Sequence, residues 1–168
     1  MGIIRRCDGS DLPAILGIIN AAAESYRGVI PEHQWHEPYM SHEQLRSEID
    51  AGVAFWGYES DLDLVGVMGL QAVKDADLIR HAYVSPHSQR MGIGAQLMRH
   101  LRQNARRQML VGTWAAAQWA ARFYERHGFQ LVPPERTAEL LRSYWSITPA
   151  QNLASVVLAN PPLTGNPA

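Results

Sequence analysis

Apolar residues recur at helical spacing in several stretches of this chain and alternate or run together in others. Leu12, Ile15, Leu16, Ile19, Ala22 and Ala23 form one stripe, so a helix is expected there, with Ser10 as its N-cap and Pro13 tolerated in the first turn. A second helix is expected to start at Ser41, where Gln44 suits a capping box, and to stop at Gly52. Ile93, Leu97, Leu101 and Ala105 recur every four residues beside Met98, so 90–107 reads as a strong helix. Residues 117–127 predict another, closed by Gly128, and 136–145 reads as helical too.

Strands are expected over residues 3–7, 53–59, 64–73, 78–84, 109–114, 129–132 and 153–159. Turns at 60–63 and 75–77 join consecutive strands, which argues antiparallel pairing. The strand–helix–strand run from 78 to 114 argues one parallel crossover. The expected fold is α/β (α+β): a mixed, mainly antiparallel twisted sheet with helices on both faces. One domain is expected over 1–160, with a loose tail over 161–168.

Composition narrows the class. Hydrophobic residues make up 46%, enough for a packed core. Lys plus Arg (15) nearly balances Asp plus Glu (16), with no basic block, so nucleic acid is not an expected partner. Cys7 is the single cysteine, which excludes an internal disulfide and suits a reducing compartment. No run reaches the roughly 18 apolar residues of a membrane span, so no membrane partner is expected and a cytoplasmic location is the default. The histidines form no H-x-x-x-H pair, so no metal is expected.

The most informative segment follows the strand that ends at Val84. After Ser85 and Pro86, the run Gln89-Arg90-Met91-Gly92-Ile93-Gly94-Ala95 places glycines at a helix start. Free N–H groups and the positive dipole end make such a start an anion site, and glycine lets a phosphate approach the backbone. Leu97 stands where a dinucleotide fingerprint needs its third glycine, and no G-K-[ST] is present, so two nucleotide motifs fail.

The run does match Q/R-x-x-G-x-G/A. With Tyr83-Val84-Ser85-Pro86 before it, it resembles the acyl-CoA motif of the GNAT superfamily of N-acetyltransferases. Phe123-Tyr124-Glu125-Arg126-His127-Gly128-Phe129 is similar to that superfamily's helix end, in the right order and spacing. The resemblance is specific over about residues 78–132 and follows the order of elements elsewhere. It implies acetyl-CoA as co-substrate. The pyrophosphate would meet the N–H groups of residues 90–95, and the pantetheine would run along Ala82, Tyr83 and Val84 like an added strand.

The resemblance also implies roles. Tyr124 would be the general acid that protonates the leaving thiolate. From a phenol near pKa 10 to a thiolate near 8.5 the transfer is uphill by roughly 2 kcal/mol, which positioning can offset. An oxyanion would meet a backbone N–H of the strand ending at Val84, where relatives carry a bulge. Relatives often place a base near positions 78 or 80; Leu78 and Arg80 cannot serve here, and His81 is adjacent. By plain alternation His81 points to the other face unless a bulge intervenes. Glu24, His36, Glu37 and a water chain remain alternatives. Ala117 replaces an asparagine common in relatives.

The aromatic loop over 26–40 stands where relatives build an acceptor pocket. Trp35, His36, Glu37 and Arg80 are therefore expected to bind the acceptor, and Trp114 and Trp145 are candidates for the same cleft. The reading is an N-acetyltransferase acting on a small-molecule or peptide amine, with exposed edges that allow a homodimer. The alternative is a non-catalytic acyl-CoA-binding regulatory or interaction domain.

Overall fold

The computed structural model describes residues 2–163. The strands are β1 (Ile3–Arg6), β2 (Ala54–Ser60), β3 (Asp63–Val73), β4 (Ala76–Val84), β5 (Gln108–Trp114), β6 (Gln130–Leu131) and β7 (Ser155–Asn160). The helices are α1 (Leu12–Ala22), α2 (His42–Asp50), α3 (Ile93–Asn104), α4 (Gln118–Arg126), α5 (Pro134–Tyr144) and α6 (Pro149–Leu153). The sheet runs β1-β2-β3-β4-β5-β7-β6, antiparallel throughout except for the parallel β4–β5 pair. This is the expected mixed, mainly antiparallel sheet.

Strand alternation sorts the core into two sides. Met68, Ile79, Met109, Val111 and Leu158 face α3 and α4, meeting Ile93, Leu97, Met98, Leu101 and Tyr124. Their neighbours point the other way: Val53, Phe55 and Val67 pack on α1 and α2, while Leu78, Leu110 and Val157 pack on Leu141 of α5. Helices therefore cover both faces, as expected. Each large aliphatic side chain buried this way contributes about 1.5–3 kcal/mol.

The helix ends differ in detail from the sequence pattern. Asp8, not Ser10, caps the first helical turn: it accepts from Ser10 N at 2.8 Å while Asp8 N donates to Asp11 at 2.8 Å. Ser41 caps α2 by accepting from Gln44 N at 3.1 Å, which is half of the expected capping box; among the described residues no return bond to the Gln44 side chain forms. The helix expected over 90–107 begins only at Ile93, because Arg90 and Gly92 sit at positive φ (65° and 78°) outside helical space. Residues 149–153, lacking an apolar stripe, still form α6, started by a capping box between Thr148 and Gln151. Tail residues 161–163 are engaged: Gln108 Nε2 donates to Pro161 O at 2.7 Å, and Leu163 packs beside α5. The rest of the expected tail, 164–168, lies outside the described residues.

Two features of β4 set up the site. Its pairing with β5 covers only Ala76–Ile79 against 108–111, so the strands part beyond Ile79. On its other edge, Gly69 pairs with Arg80 and Val67 with Tyr83, so His81 and Ala82 together oppose Met68. That is a β-bulge, and His81 carries it at φ 54°.

Candidate active site

The parting of β4 from β5 opens a cleft of about 180 Å³. Arg80, His81 and Tyr83 line one wall; Gly112, Thr113 and Trp114 line the other; Tyr26 and Tyr39 close one end, and Trp145 and Ile147 the opposite end. Beyond Ile79 the β5-side edge of β4 has no strand partner, which leaves main-chain donors and acceptors for an extended ligand.

The bulge decides which side chains reach the cleft. The extra residue in β4 brings both Arg80 and Tyr83 to the α1–α2 face, while Ala82 and Val84 pack toward α3 and α4. His81 turns toward α2 as well, so the face expected from plain alternation does not apply. Its Nε2 lies 2.5 Å from Glu48 Oε2, and Arg80 Nη2 lies 2.7 Å from Glu48 Oε1. Burial pushes the Glu48 carboxyl up, but the hydrogen bond and charge of His81, and then Arg80, outweigh it and hold it below its ordinary value. Arg80 also donates to Gln71 Oε1 at 2.8 Å. Its charge is thus already matched by Glu48.

Three phenols meet at the cleft end. The Tyr26 ring lies 5.6 Å from that of Tyr39 and 6.3 Å from that of Tyr83, and Trp114 Nε1 donates to the Tyr39 hydroxyl at 2.9 Å. Burial pushes Tyr26 up to about 12 and Tyr83 well above the ordinary phenol value. These groups stay protonated and act as hydrogen-bond donors. The loop over 26–40 therefore reaches the cleft through Tyr26 and Tyr39 rather than through Trp35, His36 and Glu37. Trp35 packs behind Tyr39, with ring centroids 5.7 Å apart, and donates to Glu37 at 2.8 Å. Glu37 pairs with Arg27 at 2.9 Å, and His36 is exposed. None of Trp35, His36 and Glu37 lines the cleft.

Below β4, Gln89 Nε2 donates to Val84 O at 3.1 Å and folds the turn back on the strand. Arg90 and Met91 are exposed, Ile93 is buried, and Ala95 is partly buried. Gly92 is the N-cap of α3 with no side-chain cap, so the first N–H groups of the helix have no capping partner among the described residues. A Cβ built on Gly92 meets nothing within 4 Å, and one on Gly94 would come within 3.3 Å of Phe123. Gly92 thus leaves open space before the helix start, while Gly94 lets α3 and α4 approach. An open cradle at uncapped N–H groups beside an unpaired strand edge fits a coenzyme A diphosphate and its pantetheine arm.

Tyr124 lies on α4 between Phe123 and Phe129, with ring centroids at 5.3 and 5.8 Å. Its hydroxyl makes no hydrogen bond to any described residue, and burial pushes the phenol well above its ordinary value, with Tyr26 adding to the rise. Ala117, fully buried, sits at the start of this helix beside Tyr26.

The chain has counterparts among known proteins. The profile of the acetyltransferase (GNAT) domain matches residues 20–143. The chain belongs to the GNAT acetyltransferase family. It is an acyltransferase. Among curated GNAT relatives, it is 27% identical over 130 residues to the peptidyl-lysine N-acetyltransferase YiaC of Escherichia coli K12, across 77% of this chain and 84% of that one. Two solved structures share the fold. A GNAT acetyltransferase from Staphylococcus aureus Mu50 superposes with a TM-score of 0.69 at 16% identity, over 95% of this chain and 98% of that one. The PaiA N-acetyltransferase of Thermoplasma acidophilum, solved with coenzyme A, gives 0.68 at 17%, over the same shares.

Sequence reasoning missed Glu48, and it placed Tyr26 and Tyr39 in the aromatic loop without assigning either to the cleft. Glu48 had a faint signal: it lies one turn after buried Leu45 and before Ile49, a charge on the apolar side of α2. Tyr26 and Tyr39 bound the acceptor loop, but nothing local in the sequence shows that their rings meet over Tyr83.

Proposed function

We propose that this acyltransferase uses acetyl-CoA to acetylate a primary amine by direct transfer. The observation that carries the reading is the parting of β4 and β5 beyond Ile79, over a cleft that ends in titratable side chains. When bound, acetyl-CoA supplies an acetyl thioester open to attack by an amine.

The chain's own residues have distinct tasks in this reading. Residues 90–95 hold the diphosphate through main-chain N–H groups, with Gly92 leaving it room. Ala82, Tyr83 and Val84 offer main-chain groups to the pantetheine arm, and a β4 N–H stabilises the developing oxyanion. Tyr124 gives its phenolic proton to the departing sulfur. Its unpartnered hydroxyl supports this: no protein acceptor has to be abandoned first. His81 removes the proton from the acceptor, and Tyr26, Tyr39 and Trp114 surround the acceptor's aliphatic part.

The likeness to a peptidyl-lysine acetyltransferase favours a peptide amine as acceptor. The test is thiol release from acetyl-CoA against lysine peptides, peptide N-termini, free amino acids and polyamines. A peptide amine should be consumed fastest. Stabilisation of the fold by acetyl-CoA without turnover on any amine would instead establish a non-catalytic acyl-CoA-binding domain.

A further inference from the structure

We propose that Glu48 is the positioning residue for His81. Its carboxylate takes the Nε2–H bond and leaves Nδ1 as the bare nitrogen that accepts a proton from the acceptor amine. The proposal rests on the acetyltransferase reading above and names the device that orients its base.

The geometry is a braced one. Glu48 Oε2 and His81 Nε2 are 2.5 Å apart as an ion-pair contact whose angle is too bent for a well-formed hydrogen bond. Neither buried atom has a hydrogen-bond partner among the described residues, so each is the other's nearest means of satisfaction. The second carboxylate oxygen is held by Arg80 at 2.7 Å. Arg80 is braced by Gln71, whose amide donates to Ala51 O at 3.1 Å, just past the end of α2. β3, β4 and α2 are thereby tied in one ring of polar contacts. Phe55 lies nearly parallel to the imidazole, with centroids 6.1 Å apart at 21°, and limits its rotation.

The chemistry follows from the two ring nitrogens. A neutral imidazole carries one N–H and one lone pair, and the partner of one nitrogen fixes the role of the other. A proton kept on Nε2 by the Glu48 carboxylate leaves the lone pair on Nδ1, which has no hydrogen-bond partner among the described residues, on a side chain that lines the cleft. The ammonium N–H bond of the acceptor breaks and its proton passes to Nδ1. The freed nitrogen pair then attacks the thioester carbonyl. As the C–S bond breaks, Tyr124 protonates the departing sulfur, and the second N–H proton, released from nitrogen in the same collapse, restores the Tyr124 phenol. The imidazolium so formed stands against the Glu48 carboxylate, which balances its charge until the proton leaves to water. A base held by a third group in this way is the general logic of an oriented nucleophile–base pair.

The test uses the full chain labelled with ¹⁵N-histidine at a pH where the ring is neutral, with His81→Asn to assign the signal. The Nε2–H tautomer is expected in wild type, and a shift toward a mixture in Glu48→Gln, which keeps shape but loses charge. Under saturating acetyl-CoA and the best amine of the panel, Glu48→Gln should lose roughly 10²-fold in kcat with the acetyl-CoA KM unchanged. An Nδ1–H tautomer in wild type would overturn the proposal. So would full turnover per folded Glu48→Gln molecule while His81→Asn is inactive. If wild type consumes no amine, the acetyltransferase reading fails, and the tautomer still decides whether Glu48 orients His81.

Discussion

Arg80 and Tyr83 stand three residues apart on β4 and face the same side of the sheet, because His81 and Ala82 together oppose Met68. In a regular strand, residues separated by an odd number point to opposite faces. The inserted residue restores the parity and gathers Arg80, His81 and Tyr83 around one cleft. The left-handed backbone of His81 costs on the order of 1–3 kcal/mol. Contacts to Glu48 from both Arg80 and His81 offset it.

Removing Arg80 should therefore affect stability and acceptor use together. Arg80→Ala leaves a largely buried Glu48 with His81 alone, and a loss of about 1–3 kcal/mol is expected from the denaturant midpoint. CoA affinity should hold, since its proposed contacts are main-chain groups further along β4 and at α3. The acceptor KM should rise. Normal stability and normal kinetics in this variant would remove Arg80 from the acceptor side.

Tyr124→Phe separates chemistry from packing. The hydroxyl has no partner among the described residues, so its loss breaks no hydrogen bond within them and the melting temperature should change little. The ring contacts with Phe123 and Phe129 remain. Without the donor, kcat should fall by roughly 10²–10³-fold. The defect should shrink with a thioester whose leaving thiolate is less basic. Unchanged single-turnover chemistry would mean that the acid is another group.

Filling the space at Gly92 tests where the diphosphate lies. Gly92→Val adds both bulk and strain, because its φ of 78° disfavours a β-branched side chain. Gly92→Asn tolerates that backbone and still puts a side chain into the open space before α3. Both variants should lose CoA affinity by more than about tenfold, and the Asn variant should do so with near-normal stability. Wild-type CoA affinity in a folded Asn variant would place the diphosphate elsewhere.

The phenols predict an alkaline limit to stability. Tyr26 titrates at about 12 in the fold, against an ordinary phenol value of 10.0, and Tyr83 and Tyr124 are pushed up as well. Above the ordinary value the unfolded chain binds fewer protons than the native one, so stability falls as pH rises. The contribution is complete below pH 10.0 and is lost through about 12 for Tyr26. Urea midpoints measured across that window should be flat at first and then decline. Phenol absorbance should report ionisation together with unfolding. A flat midpoint through the whole window would contradict the burial of these hydroxyls.

The order of elements apart from α6, the apolar faces of α1 and α3, and the glycine turn at Gln89-Arg90-Met91-Gly92-Ile93-Gly94 are legible in the sequence alone. These signals are local: helical spacing, strand alternation and a turn that needs glycine are written in neighbouring residues. The sequence also singled out Arg80 and His81 on the strand that became β4. Only the tertiary structure decided how these side chains point, because one extra residue in β4 reverses parity and depends on its pairing with β3. The same holds for Glu48, Tyr26 and Tyr39. They come from a helix and a loop distant in sequence, and packing on β4, rather than any local pattern, brings Tyr26 and Tyr39 to the cleft and Glu48 against Arg80 and His81 behind it.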